Sequence, residues 1–128
     1  MTCVVDTSAW IEVLLGSPHA STLMRHLPGR DECIVPTLVQ LDLTKWLNRQ
    51  GNPVAAKQVL AFTMRCHVLP LSTEIALLAA DLCVKHKLAT ADTIIYASAK
   101  DERADLLTCD SHFDGLDGVI LVSKQPIQ

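Results

Sequence analysis

TCVVDTSAW, residues 2–10, decides the architecture. Residues 2–5 form a short β-branched run and are expected to be a buried strand. Asp6-Thr7-Ser8 supplies helix-capping residues, and residues 9–15 are expected to be helical until Gly16. A strand thus passes straight into a helix, with an acid at the junction. The same alternation continues outward. Residues 20–27 read as a helix stopped by Pro28-Gly29, and 33–35 as a strand ended by Pro36. Residues 38–48 and 54–65 read as helices separated by Gly51-Asn52-Pro53. A strand at 67–69 precedes Pro70. Residues 73–87 form an amphipathic helix, with Ile75, Leu78, Ala79, Leu82 and Cys83 on one stripe. Residues 91–99 are helical, 105–108 a strand, 110–118 a loop with Gly115 and Gly118, and 119–121 a last strand. Alternating strands and helices argue for an α/β fold with a parallel sheet covered on both faces. The functional crevice of such a sheet lies beyond the carboxyl ends of its strands.

The chain has 128 residues, which fits one domain spanning 1–128. Hydrophobic residues make up 49% and aromatic ones 4%, so the core is mostly aliphatic. The formal net charge of -3 removes a chain-wide basic signature for nucleic acid. It leaves open an enzyme that reaches nucleic acid through metal ions. The five cysteines are odd in number and lack C-x-x-C spacing, which excludes a zinc set or a disulfide framework and fits a reducing cytoplasm. The first residues lack a signal-type pattern and no apolar run reaches membrane-spanning length. A cytoplasmic protein without a membrane segment is expected.

Four acids fall where the crevice should be. Asp6 follows the first strand, and a simple helix cap would also explain it. Asp110 follows the strand at 105–108, and an Asx turn is its structural alternative. Asp92 lies near a helix start, where the helix dipole favours an acid. Asp42 differs, because it sits mid-helix on a face shared with Leu38 and Trp46. An acid on an apolar stripe costs several kcal/mol unless it is paired or binds a metal. An ion pair with Lys45 or Arg49 is the alternative to an acidic cleft. Carboxylates gathered together repel unless cations neutralise them. Oxygen-only ligands select hard cations, Mg2+ or Mn2+. Ions so held can stabilise an in-line displacement at a phosphate, so metal-dependent phosphodiester hydrolysis is the natural chemistry.

Four motifs carry a family resemblance: VVDTSAW at 4–10, VPTLVQLD at 35–42, KLATADTIIYASA at 87–99 and LLTCDSHFDGL at 106–116. Their acids are 36, 50 and 18 residues apart. The chain resembles the PIN-domain ribonucleases, most closely the VapC toxins of toxin–antitoxin modules, over essentially its whole length. The resemblance implies a three-layer α/β/α domain with a central, mainly parallel sheet. It also implies Mg2+- or Mn2+-dependent endonucleolytic cleavage of RNA, a cognate antitoxin and a homodimer. Asp6, Asp92 and Asp110 match the family's acidic triad. Asp42 stands where the family usually carries glutamate and is one methylene shorter. Asp114 matches an often acidic position that joins a second metal, with a loop aspartate as the alternative. Thr7 and Thr108 resemble hydroxyl residues that steady the pocket; a cap and a strand-end packing residue are the alternatives.

His112 reads as a solvated loop side chain, with donation to a phosphate as its functional alternative. Lys45, Arg49, Lys85, Lys87 and Arg103 are candidate phosphate contacts without forming a basic cluster. Two other readings compete. One is a catalytically silent PIN fold that binds RNA or protein. The other is a phosphotransfer receiver domain, which wants an adjacent acidic pair after its first strand, whereas Val4-Val5-Asp6 supplies one acid.

Overall fold

Three short strands lie buried on both faces of one sheet: β1 (Cys3–Val5), β2 (Cys33–Pro36) and β4 (Asp105–Thr108). Their near-continuous apolar runs are the pattern of parallel strands covered by helices on each side. β3 (His67–Leu69) and β5 (Val119–Leu121) are the half-exposed edges. The order is β3-β2-β1-β4-β5, and every pair is parallel. The computed structural model describes residues 1–124; residues 125–128, which the expected domain also includes, lie outside the described residues.

The helices fall between the strands as the sequence pattern requires. They are α1 (Thr7–Leu15), α2 (Ala20–Met24), α3 (Thr37–Arg49), α4 (Pro53–Met64), α5 (Thr73–His86) and α6 (Thr90–Asp101). The chain steps from β1 to β2 to β3 in one direction, then returns to β4 and β5 on the other side of β1. Right-handed crossovers therefore put the helices of the two halves on opposite faces, giving three layers. Most helix contacts follow this division, with α1 against α2 and α3, α3 against α4, and α5 against α6, while α3 and α6 also meet. The α/β class with a parallel sheet is as expected, and the sheet is wholly parallel.

Residues 25–27, expected in α2, fall outside the helix, which ends at Met24. Leu27 N–H still bonds to the Leu23 carbonyl, but Pro28 disfavours helical geometry in the residue before it. Ser72 caps α5 by accepting from Ile75 N–H, and Asn52 caps α4 by accepting from Ala55 N–H, with Pro53 at the first helical position. Short 3-10 turns at Arg30–Glu32 and Ser111–Phe113 were not expected from the sequence.

The main core is mostly aliphatic, with Tyr96, Phe113 and three cysteines among Val4, Val5, Ile34, Val35, Leu43, Leu106 and Leu107. All five cysteines are free. Burial pushes the Cys3 thiol up to about 11 and that of Cys33 to about 12, so both behave as small apolar side chains.

Residues 109–118 join two parallel neighbours without a helix, so this connection needs anchors. Phe113 is fully buried. Tyr96 Oη–H donates to the Asp117 carbonyl at 2.8 Å, and Lys100 Nζ reaches Asp117 Oδ2 at 2.7 Å. Gly118 holds φ of 77°, a left-handed value that disfavours side chains. The loop that follows β4 is thereby fixed against α6.

Candidate metal centre

The strand order reverses at β1, so the crevice of this sheet opens where β1 and β4 end side by side. Asp6 directly follows β1, and its N–H bonds to the Leu107 carbonyl of β4 at 2.9 Å. Asp6 occupies the N-cap position of α1, yet its carboxylate makes no capping bond. Instead Asp6 Oδ2 accepts from Thr108 Oγ1–H at 2.8 Å and from Ser8 Oγ–H at 2.9 Å. Ser8 Oγ in turn accepts from Cys109 N–H, and Thr108 Oγ1 from Asp110 N–H, both at 3.0 Å. The two hydroxyl oxygens are also 3.2 Å apart, within hydrogen-bond distance of each other. The two hydroxyls thus tie the end of β1 to the end of β4 around one buried carboxylate. Burial pushes the Asp6 carboxyl up, against the bonds from Thr108, Ser8 and the Thr7 backbone; the charge of Asp110 adds to the rise.

Asp110 does serve a turn, as its structural alternative required. Its Oδ1 accepts from His112 N–H at 2.9 Å. The same carboxylate also faces a second acid. Asp92 comes from the first turn of α6, and it, Asp110 and His112 offer ligand atoms that all lie within 4.8 Å of one another. Burial raises the Asp92 carboxyl, the charges of Asp110 and then Asp6 raise it further, and His112 opposes them. Asp42 also raises Asp92, in line with the contact of α3 with α6.

Asp42 is half-buried, and no ion pair joins it to Lys45 or Arg49 among the described residues. The fully buried stripe of α3 is Val39, Leu43 and Leu47; Leu38 and Trp46 beside Asp42 are only half-buried. The desolvation expected for Asp42 is correspondingly smaller. Asp114 is exposed at the end of the Ser111–Phe113 turn and outside the Asp92–Asp110–His112 group. The Thr108 hydroxyl bonds to the Asp6 carboxylate. Thr7 does not: its Oγ1 is buried with no hydrogen-bond partner among the described residues. Ser8, one residue further on, supplies the second hydroxyl to Asp6.

Two clefts flank the acids. One is lined by Ser8, Asp110, Ser111 and Lys124, the other by His86, Lys87, Asp92 and His112. Lys87, among the candidate phosphate contacts, borders the centre. Arg103 precedes β4 at the opposite, amino-terminal edge of the sheet. Lys124 borders the first cleft and was not among those candidates. Asp6 lies outside the close Asp92–Asp110–His112 group, whose two half-buried carboxylates beside an imidazole are a donor set that suits a divalent cation.

The Ser8 network carries its own test. Ser8→Ala removes one of two hydroxyl donors to a buried carboxylate and the acceptor for Cys109 N–H. It should lower unfolding stability by about 1–3 kcal/mol, read by chemical denaturation. Thr7→Val should cost less than about 1 kcal/mol, because the Thr7 hydroxyl forms no bond to lose.

The PIN domain model matches residues 3–119, and the chain belongs to the PIN domain family. Members of that family are typically metal-dependent nucleases. The chain is similar in fold to toxins of toxin–antitoxin systems. A toxin–antitoxin complex from Klebsiella pneumoniae matches with a TM-score of 0.80 and 21% identity, covering 93% of this chain and 96% of that one. VapC20 of Mycobacterium tuberculosis, described as a sarcin-ricin loop cleaving toxin, matches at 0.74 and 19%, covering 98% and 100%. FitAcB from Neisseria gonorrhoeae matches at 0.75 and 18%, covering 94% and 97%. At these identities the likeness concerns the fold. No curated protein sequence matches the chain. No helix among the described residues is long and apolar enough to cross a membrane.

Proposed function

We propose that this protein is a Mg2+- or Mn2+-dependent endoribonuclease, the toxin component of a toxin–antitoxin pair. The observation that carries the reading is the close approach of Asp92 and Asp110 beyond the carboxyl ends of β1 and β4, beside the buried Asp6, whose charge raises the Asp92 carboxyl. A divalent cation at this centre would offset the repulsion between the carboxylates and stabilise negative charge developing on a phosphate. Asp6, Asp92 and Asp110 would hold it, with Asp114 reaching a second cation. Asp6 is the fixed point of the set, because Ser8 and Thr108 hold its carboxylate. Asp110 is oriented by the His112 N–H. Asp42 would serve as a further ligand or as the base that takes a proton from the attacking water. Lys87 and Lys124, on the two flanking clefts, would contact the RNA backbone.

The test is incubation of the purified protein with RNA in Mg2+ or Mn2+ and in chelator, followed by sequencing of the RNA ends. Defined internal ends that require the metal support the reading. Intact RNA under every ion sinks it.

Partners follow from the same reading. The Klebsiella neighbour is a toxin–antitoxin complex, and α4 of this chain exposes Leu60 at 38% and Phe62 at 46%. Such apolar surface fits an antitoxin or a second copy of the chain. Asp42 favours one other reading, a PIN fold that binds RNA or protein without cleaving, since the family usually carries the longer glutamate there. Cleavage of RNA by the wild type, lost in Asp42→Ala and retained in Asp42→Glu, would remove that reading.

A further inference from the structure

His112 stands apart from the acids in chemistry and is not an accidental neighbour of them. Its Nδ1 lies 3.1 Å from Asp110 Oδ1 and 3.8 Å from Asp92 Oδ2. Two ligands of one six-coordinate ion, each about 2.1 Å from it, stand about 3.0 Å apart when adjacent and about 4.2 Å when opposite. The His112–Asp110 separation is that of adjacent ligands, and a turn of the exposed ring would bring the His112–Asp92 separation to one of the two values; the three ligand atoms already lie within 4.8 Å of one another. The backbone on either side is held: Asp110 Oδ1 accepts from the His112 N–H, and Phe113 is fully buried. The ring itself is 74% exposed, against 23% for Asp92 and 29% for Asp110, so it sits on the solvent side of the two acids.

We propose that His112 supplies a nitrogen ligand to the divalent cation held by Asp92 and Asp110, and so tilts the centre toward manganese over magnesium. The inference rests on the reading of the acidic cluster as a divalent-metal centre. Its physical basis is ligand softness. Carboxylate oxygens serve magnesium and manganese alike, whereas imidazole nitrogen favours transition ions. An all-oxygen set would leave the choice to ion supply; one nitrogen biases it. The same distances also describe a plain ion pair between a protonated His112 and the acids, and the experiment separates the two.

Mn2+ and Mg2+ are titrated calorimetrically into the full chain and into His112→Ala and His112→Gln, and Mn2+-loaded samples are examined by pulsed paramagnetic resonance for nitrogen coupling. The expected result is that both substitutions weaken Mn2+ by about tenfold and Mg2+ by less than about threefold. Nitrogen coupling is expected in the wild type and not in the variants. Unchanged or tighter Mn2+ binding in His112→Ala, with no nitrogen coupling in the wild type, overturns the inference and leaves an ion pair. A wild type that binds neither ion overturns the metal centre itself, which is a separate outcome.

Discussion

Asp6→Asn should lower metal-dependent RNA cleavage by about a hundred- to a thousandfold, the effect of losing several kcal/mol of metal-mediated charge stabilisation. The same substitution should make the metal-free protein more stable. Asp6 is 5% exposed, and burial and the charge of Asp110 disfavour its ionised form. Asparagine keeps the size and one oxygen acceptor for the Ser8 and Thr108 hydroxyls while removing the charge. The pH dependence has a definite sign. The folded carboxyls of Asp6 and Asp92 are raised above the ordinary 3.8. Stability from protonating them is full below that value and is lost as pH rises through their folded values. Thermal melts in chelator should therefore show wild type falling behind Asp6→Asn as pH is raised from acid to neutral. Mn2+ at neutral pH should restore the wild type, because it binds the folded form. A variant less stable than wild type in chelator at neutral pH would mean that the hydroxyl bonds outweigh the buried charge.

Phe113→Ala should cost about 3–5 kcal/mol of unfolding stability, the range for truncating a buried aromatic. Phe113 is fully buried in the main core, and it is the anchor between Asp110 and Asp114. Its loss leaves a cavity beneath the turn that Asp110 caps. Metal affinity should fall along with stability, since Asp110 and His112 both stand on that turn. Phe113→Leu should recover most of the stability, because it refills much of the volume. Denaturant melts and Mn2+ titration read the two effects. A Phe113→Ala protein with wild-type metal affinity would show that the turn is held by Tyr96 and Lys100 through Asp117 alone.

The parts of the fold that were legible are those written locally. β1 and β2 are continuous apolar runs ended by Asp6 and Pro36, and both lie where those residues put them. The overrun of α2 has a local cause as well, the proline after Leu27. The site was legible where an acid follows a strand, because strand ends in a parallel sheet share one edge. Ser8 was not legible. Two residues after Asp6 it looks like a cap, and its partner Thr108 lies 100 residues away on a strand whose neighbour is known only from the sheet order. The signal available was the pairing of a hydroxyl after one strand with a hydroxyl ending another. His112 was read as a solvated side chain, and it is indeed exposed. What the sequence could not convey is that α6 returns Asp92 beside it. Asp42 was singled out as a mid-helix acid on an apolar face. The face proves half-buried, and the charge of Asp42 adds to the rise of the Asp92 carboxyl.

Direct titration of Mn2+ into the purified wild type and into a variant carrying Asp6→Asn, Asp92→Asn and Asp110→Asn together tests most directly whether these acids form a metal centre. Saturable binding to the wild type and none to the folded variant is the predicted result. Equal binding by both, or binding by neither, would contradict it.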